Sequence, residues 1–276
     1  MKRLYFDGGM GTLLHERGLT EDPVRLNLTH GETIAGIHRQ YLTVGATVLT
    51  ANTFGAYTHK HADAAELIRA AIGHACKAGE NGGYTVALDM GPLGAMLEPY
   101  GDMTYDEAYT LFAQAANTGK ECGADMILIE TFYCITELEA AVKAATAAGL
   151  PVFATMTFDQ RGRTTMGIPI KRMAQDLAEW GVTALGMNCG LGPEAYCELL
   201  PQLLDATKLP ILIQPNAGLP TIIDGKTVYN VTPEDFAKVM EQIAALADAR
   251  GHLLHLGGCC GTTPAHIKAM INRCVI

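Results

Sequence analysis

Short apolar, β-prone runs recur along the chain at Leu4–Phe6, Thr47–Thr50, Thr85–Leu88, Met126–Glu130, Val152–Thr157, Ala184–Asn188, Pro210–Gln214 and Leu253–Gly257. Several are continuously apolar, as expected of parallel strands buried on both faces. Between them lie Ala-rich stretches with apolar residues at helical spacing, as in Phe236, Val239, Met240 and Ile243. Some helix starts are legible. Thr104–Glu107 and Thr136–Glu139 have capping-box spacing, and Thr232-Pro233 and Thr263-Pro264 set a cap before a proline at the first helical position. Eight strand–helix units in 276 residues predict an α/β fold, a (β/α)8 TIM barrel, as a single domain over residues 1–276. A doubly wound open sheet is the alternative. Against it, Asp7-Gly-Gly-Met-Gly-Thr12 after the first run lacks the GxGxxG order of a dinucleotide loop.

In a barrel, chemistry gathers at the C-terminal strand ends. The residues there are Asp7 to Thr12, Asn52-Thr-Phe54, Gly91-Pro-Leu-Gly94, Glu130-Thr-Phe132, Asn188-Cys-Gly190, Gln214-Pro-Asn-Ala-Gly218 and Gly257-Gly-Cys-Cys-Gly-Thr262. Adjacent strand residues point to opposite faces, so Cys259 and Cys260 can share one ion only if the backbone turns, which the flanking glycines permit. Cys189, at a neighbouring strand end, supplies a possible third thiolate. Three cysteines with one open position match a catalytic zinc site better than a closed structural one. The alternatives are buried apolar thiols or a vicinal disulfide. Asp7 and Glu130 suit a substrate ammonium, and the amides of Gly8 and Gly9 a carboxylate, so together they match an amino-acid zwitterion. Asp7 is equally explained as a turn residue opening a glycine loop. Cys76, Cys122, Cys197 and Cys274 fall in helical stretches and read as core residues.

Composition narrows the classes. Hydrophobic residues make up 49%, enough for a sizeable core. A formal charge of −9 argues against nucleic acid as the main partner. No apolar run reaches membrane-spanning length and the first residues carry no apolar signal stretch, so the chain reads as soluble and cytoplasmic, without a membrane partner. In that reducing setting the eight cysteines are thiols or metal ligands, not a disulfide framework.

The rim segments, in order and across nearly the whole chain, resemble the homocysteine S-methyltransferase family. That family includes the homocysteine-binding module of cobalamin-dependent methionine synthase and the betaine–homocysteine methyltransferases. The resemblance implies a (β/α)8 barrel with zinc held by Cys189, Cys259 and Cys260, and homocysteine sulfur at the open zinc position. It also implies that Asp7 and Glu130 hold the amino group and the amides near Gly8 and Gly9 the carboxylate. Three cysteinates and a substrate thiolate make the zinc electron-rich. Such a site is a poor Lewis acid but leaves the bound sulfur nucleophilic. Gly91-Pro-Leu-Gly, Glu98-Pro-Tyr-Gly-Asp102, Thr155-Met-Thr-Phe158 and Gly162-Arg163 look more like the methionine synthase branch. Betaine enzymes carry a tyrosine directly after the rim glutamate, where this chain has Thr131.

In 276 residues there is no room for folate, cobalamin or reactivation domains, and neither a DxHxxG cobalamin signature nor a glycine-rich S-adenosylmethionine loop stands out. The expected donor is therefore methylcobalamin or another methyl donor supplied from outside this domain. A corrinoid protein or further methionine synthase domains would carry it; the alternative is a small molecule such as S-methylmethionine. The rival from another class is a non-catalytic zinc or thiol-binding module. Without substrate, Asn216, after the seventh run, is a candidate fourth zinc ligand; otherwise it shapes the turn before Gly218 and water fills the position.

Overall fold

A computed structural model of the chain describes residues 2–79, 82–223 and 226–274. Six parallel strands follow one another with crossover helices: β1 (Val48–Thr50), β2 (Thr85–Met90), β3 (Met126–Phe132), β4 (Val152–Met156), β5 (Ala184–Asn188) and β6 (Ile211–Gln214). A two-stranded antiparallel hairpin, β7 (Thr221–Ile223) and β8 (Lys226–Val228), then interrupts the alternation before β9 (Leu254–Leu256) pairs in parallel with β6. The first apolar run closes the ring. Tyr5 bridges Leu256 and Phe6 bridges Val48, both in parallel sense, with Phe6 N–H donating to Leu256 O at 2.7 Å. The fold is the expected TIM barrel, with a first strand pared down to two bridging residues.

The strand period of two sorts the apolar residues. Phe6, Val48, Ala87, Met126, Leu128, Phe153, Ala184 and Leu212 form one cluster, the plug inside the barrel. The opposite parity, including Leu49, Leu88, Ile127, Ile129, Leu185 and Leu254, packs against the helices. Phe153 anchors the plug, with ring centroids 5.8 Å from Phe6 and 5.3 Å from His255. Burial keeps that histidine neutral, lowering its pKa to about 4, and its Nδ1 accepts from Leu4 N–H at 3.0 Å. After the short helices α1 (Met10–Glu16) and α2 (Leu26–Thr29), outside run α3 (Gly31–Thr43), α4 (Ala64–Cys76), α5 (Tyr105–Glu121), α6 (Ile135–Ala148), α7 (Ile170–Glu179), α8 (Pro193–Ala206), α9 (Pro233–Ala249) and α10 (Pro264–Cys274).

Helix α5 begins with the full capping box at Thr104 and Glu107, and Thr232 caps α9 ahead of Pro233. The box expected at Thr136 does not form. Helix α6 starts earlier, behind Cys134 and without a side-chain cap, and Glu139 reaches forward to Lys143 at 2.6 Å instead. Cys76 is exposed rather than in the core, whereas Cys274 is buried. No helix among the described residues is long and apolar enough to cross a membrane.

Candidate metal and substrate site

The inward parity that builds the plug continues to the C-terminal mouth and turns polar there. Beyond Ala87 it reaches Asp89, beyond Leu128 Glu130, beyond Gly186 Asn188, and beyond Leu212 Gln214. Asp89, Glu130 and Gln214 line a cavity of about 330 Å3 together with Asp7, Gly8, Gly9, Cys189, Cys259 and Cys260. Seven of the eight residues singled out from the sequence thus meet in one place. The eighth, Asn216, is buried in the adjacent turn with its Oδ1 unpartnered. A larger hollow of about 880 Å3 between residues 95–103 and α5 contains none of these groups.

The sulfur atoms of Cys189, Cys259 and Cys260 lie within 4.8 Å of one another, and Cys189 Sγ is 3.9 Å from Cys260 Sγ. The backbone does turn at the vicinal pair: Thr262 N–H closes onto Cys259 O at 3.1 Å and Gly261 takes a φ of +78°. Cys259 N–H bonds Pro215 O and Cys189 N–H bonds Gln214 O, so both reach the cluster from backbone pinned to the end of β6. The three thiols share charge unevenly. Hydrogen bonds from Cys189 and Cys259 hold Cys260 low, while those same contacts and burial push Cys259 up. Full ionisation of three buried thiols requires a cation among them, and a thiolate trio facing a cavity is the donor set of an open tetrahedral metal site.

Asn188 locks this cluster to the glutamate strand. Its Oδ1 accepts from Thr131 N–H and Thr155 Oγ1, each at 2.8 Å. Its Nδ2 donates to Thr131 Oγ1 at 2.7 Å and points at Cys259 Sγ, 3.9 Å away. Thr131 and Cys189 are the only non-glycine residues with positive φ among those described, at 67° and 57°. Such strain costs on the order of 1–3 kcal/mol per residue and persists only where neighbours over-determine it. Here it bends the chain immediately after Glu130 and Asn188, and so aims Cys189.

Two threonines interlock the glycine loops. Thr262 Oγ1 accepts from Gly9 N–H at 3.2 Å and donates to Cys259 O at 2.7 Å, while Thr12 Oγ1 accepts from Gly261 N–H at 3.0 Å. A Cβ on Gly8 or Gly258 would meet Thr262 Oγ1 at 2.4 Å, so glycine is required at both. The Gly9 amide is thus already engaged, and of the two glycine amides expected to meet a carboxylate, that of Gly8 is the one left over. Sequence reasoning missed both threonines, Asp89 and Tyr229. The Tyr229 ring packs on Gly261, where a Cβ would fall 2.2 Å from Cγ, and burial and the charge of Cys260 raise its phenol pKa.

Asp7 and Asp89 are buried and Glu130 is half-buried, and all three are reluctant to ionise. Burial, then the charges of Cys260 and Asp7, raise Glu130 to about 8. Burial raises Asp7 to about 7 against the opposing bond from Thr50 N–H, which reaches its Oδ2 at 2.9 Å. His38, wholly buried behind Asp7, stays neutral, and its Nδ1 is 4.0 Å from Asp7 Oδ2. Burial drives Asp89 well above the usual carboxylate range, with Glu130 and Asp7 adding to it. Among the described residues no lysine or arginine lines this cavity, and the carboxylates suit a ligand that brings a cation.

A barrel with three convergent cysteines and several acids at its mouth defines a class of proteins that could hold a metal ion there, and comparison with known proteins gives the family. The homocysteine S-methyltransferase family model matches residues 4–274, and the chain belongs to that family. It is 33% identical over 287 residues to methionine synthase of Mycobacterium tuberculosis, covering 95% of this chain and 24% of the relative. It is 31% identical to methionine synthase of Mycobacterium leprae, covering 97% of this chain and again 24% of the relative. The chain therefore spans about a quarter of the length of these relatives. Among solved structures it is similar to the homocysteine methyltransferase MmuM of Escherichia coli in its metallated form, at a TM-score of 0.81 and 25% identity over 99% of this chain and 96% of that one. The oxidised form of the same protein gives a TM-score of 0.80.

Proposed function

We propose that this barrel transfers a methyl group to the thiol of L-homocysteine, giving methionine, at a zinc ion held by Cys189, Cys259 and Cys260. The observation that carries the reading is one cavity joining three convergent thiols to the carboxylates of Asp7 and Glu130. A thiolate-rich zinc would keep the substrate sulfur deprotonated and nucleophilic at neutral pH. The chain's own residues do the rest. Asp7 and Glu130 receive the ammonium, and its charge holds both carboxylates ionised. The Gly8 amide receives the carboxylate. Asn188 fixes Thr131, and with it the end of the strand that carries Glu130, so the substrate is gripped at its amino-acid end with its sulfur toward the cysteines. The sulfur then attacks the methyl carbon, and the donor departs with the electron pair of the broken bond.

The side chain of Asn216 is assigned as the weak fourth ligand in the absence of substrate. Its Oδ1 is buried without a partner, and its backbone neighbours Pro215 and Ala217 bond Cys259 and Cys260.

A methylcorrinoid carried by a separate domain or protein is the proposed donor, supported by the match to one quarter of the mycobacterial methionine synthases. A small donor such as S-methylmethionine is the second reading. It is favoured by the end-to-end likeness to an Escherichia coli homocysteine methyltransferase, of which this chain covers 96%. A second hollow of about 540 Å3, sharing Phe54 and Thr131 with the substrate cavity, offers either donor an approach. The test supplies zinc-loaded protein and L-homocysteine with methylcobalamin or S-methylmethionine, each deuterated in the methyl group. Labelled methionine from methylcobalamin supports the first reading and from S-methylmethionine the second, while none from either rejects both.

A further inference from the structure

We propose that Asp89 is a third substrate-binding carboxylate, completing the acceptor set for the ammonium and setting the cavity's preference for an amino thiol over the same thiol without its amine. This deepens the homocysteine reading and rests on it. Asp89 lies on the inward parity of β2, two residues after the plug residue Ala87, where the plug gives way to the cavity. Its backbone is fixed on both sides by one hydroxyl: Asp89 N–H donates to Thr53 Oγ1 at 2.9 Å, and Thr53 Oγ1 donates to Asp89 O at 2.8 Å. The side chain, by contrast, is unclaimed. It is 7% exposed, its Oδ1 is buried without a partner, and no described residue donates to the carboxylate.

A buried polar group left unpaired is costly, and a carboxylate more so. Nothing in the packing of β2 requires an acid here, since the next inward position down is an alanine. The arrangement becomes favourable once a cationic donor enters. An ammonium carries three N–H bonds and no acceptor. Asp7 has one oxygen occupied by Thr50 N–H, whereas Asp89 brings a carboxylate that no described residue's donor claims. Asp7, Asp89 and Glu130 all line this one cavity. A ligand without an amine leaves three carboxylates facing one another with no cation between them.

The experiment measures binding of L-homocysteine and of 4-mercaptobutanoate, the same thiol acid without the amine, to zinc-loaded wild type, Asp89→Asn and Asp89→Ala. Wild type is expected to prefer homocysteine. Both variants should lose roughly ten- to a hundredfold of that preference, with 4-mercaptobutanoate bound as well as before or better, and zinc content unchanged. Neither variant is expected to unfold, because each removes a buried acid whose Oδ1 has no partner. A merely structural Asp89 would weaken both ligands alike, and that result, or an unchanged preference, overturns the proposal. If wild type itself shows no preference, the homocysteine reading fails and Asp89 falls with it.

Discussion

Replacing Asn188 separates what the fold needs from what the metal needs. Asn188→Ala removes four contacts at a fully buried position: acceptors for Thr131 N–H and Thr155 Oγ1, and donors to Thr131 Oγ1 and Cys259 Sγ. Thr155 Oγ1 keeps a fallback on Ile129 O at 3.4 Å, so its loss is small. Thr131 has no second partner among the described residues, but it is half-buried and water reaches it in part, which sets its cost near the lower end of about 1–3 kcal/mol per stranded group. Loss of the amide also lets Thr131 relax from its positive φ, returning part of the strain. The net destabilisation expected is about 2–3 kcal/mol, read as a shift in urea midpoint on metal-free protein. Asn188→Asp keeps the acceptors, and Thr131 Oγ1 can turn to donate, so stability should fall by less than about 1.5 kcal/mol. It replaces the N–H that faces Cys259 Sγ with an oxygen that cannot donate, however, and zinc affinity in a chelator competition should drop about tenfold or more. Full stability in the alanine variant, or undiminished zinc affinity in the aspartate variant, would refute this account of the rim.

Three further outcomes are expected. Cys189→Ser, Cys259→Ser and Cys260→Ser should each lower the zinc retained after dialysis, measured by elemental analysis; full retention in any of them removes that residue from the ligand set. Glu130→Gln should raise the KM for homocysteine about ten- to a hundredfold, matching a charge-assisted bond of about 1.5–3 kcal/mol, and leave zinc content alone; loss of zinc would instead make Glu130 a metal ligand. In metal-free protein, folded Glu130 and Asp7 keep protons up to about 8 and 7 that the unfolded chain gives up near its ordinary carboxylate values. Unfolding then releases protons, so stability should fall as pH rises from about 5 to 8. Melting temperatures across that range should slope downward for wild type and less steeply for Glu130→Gln, and equal slopes would contradict the burial argument.

The strands were legible because parallel strands inside helices need unbroken apolar runs, and all eight runs lie on barrel strands. The cysteine cluster was legible because two of its members are adjacent between glycines at a strand end. Asp89 escaped notice because its run was cut at Leu88, although the period of two carries one step further to an inward acid. Tyr229 depends on a hairpin whose placement comes from packing on Gly261, a contact no local pattern encodes. Gly9 was expected to bind substrate, but its amide is taken by Thr262, 253 residues away. Thr136 had the spacing of a cap, yet Cys134 and Ile135 begin the helix ahead of it.

The central claim is that homocysteine sulfur joins three cysteine sulfurs on one metal ion. X-ray absorption at the zinc edge, on zinc-loaded protein before and after L-homocysteine, counts those neighbours directly. The account predicts three sulfurs and one light atom at first, the place given to Asn216, and four sulfurs afterwards. A first shell that homocysteine leaves unchanged would contradict it.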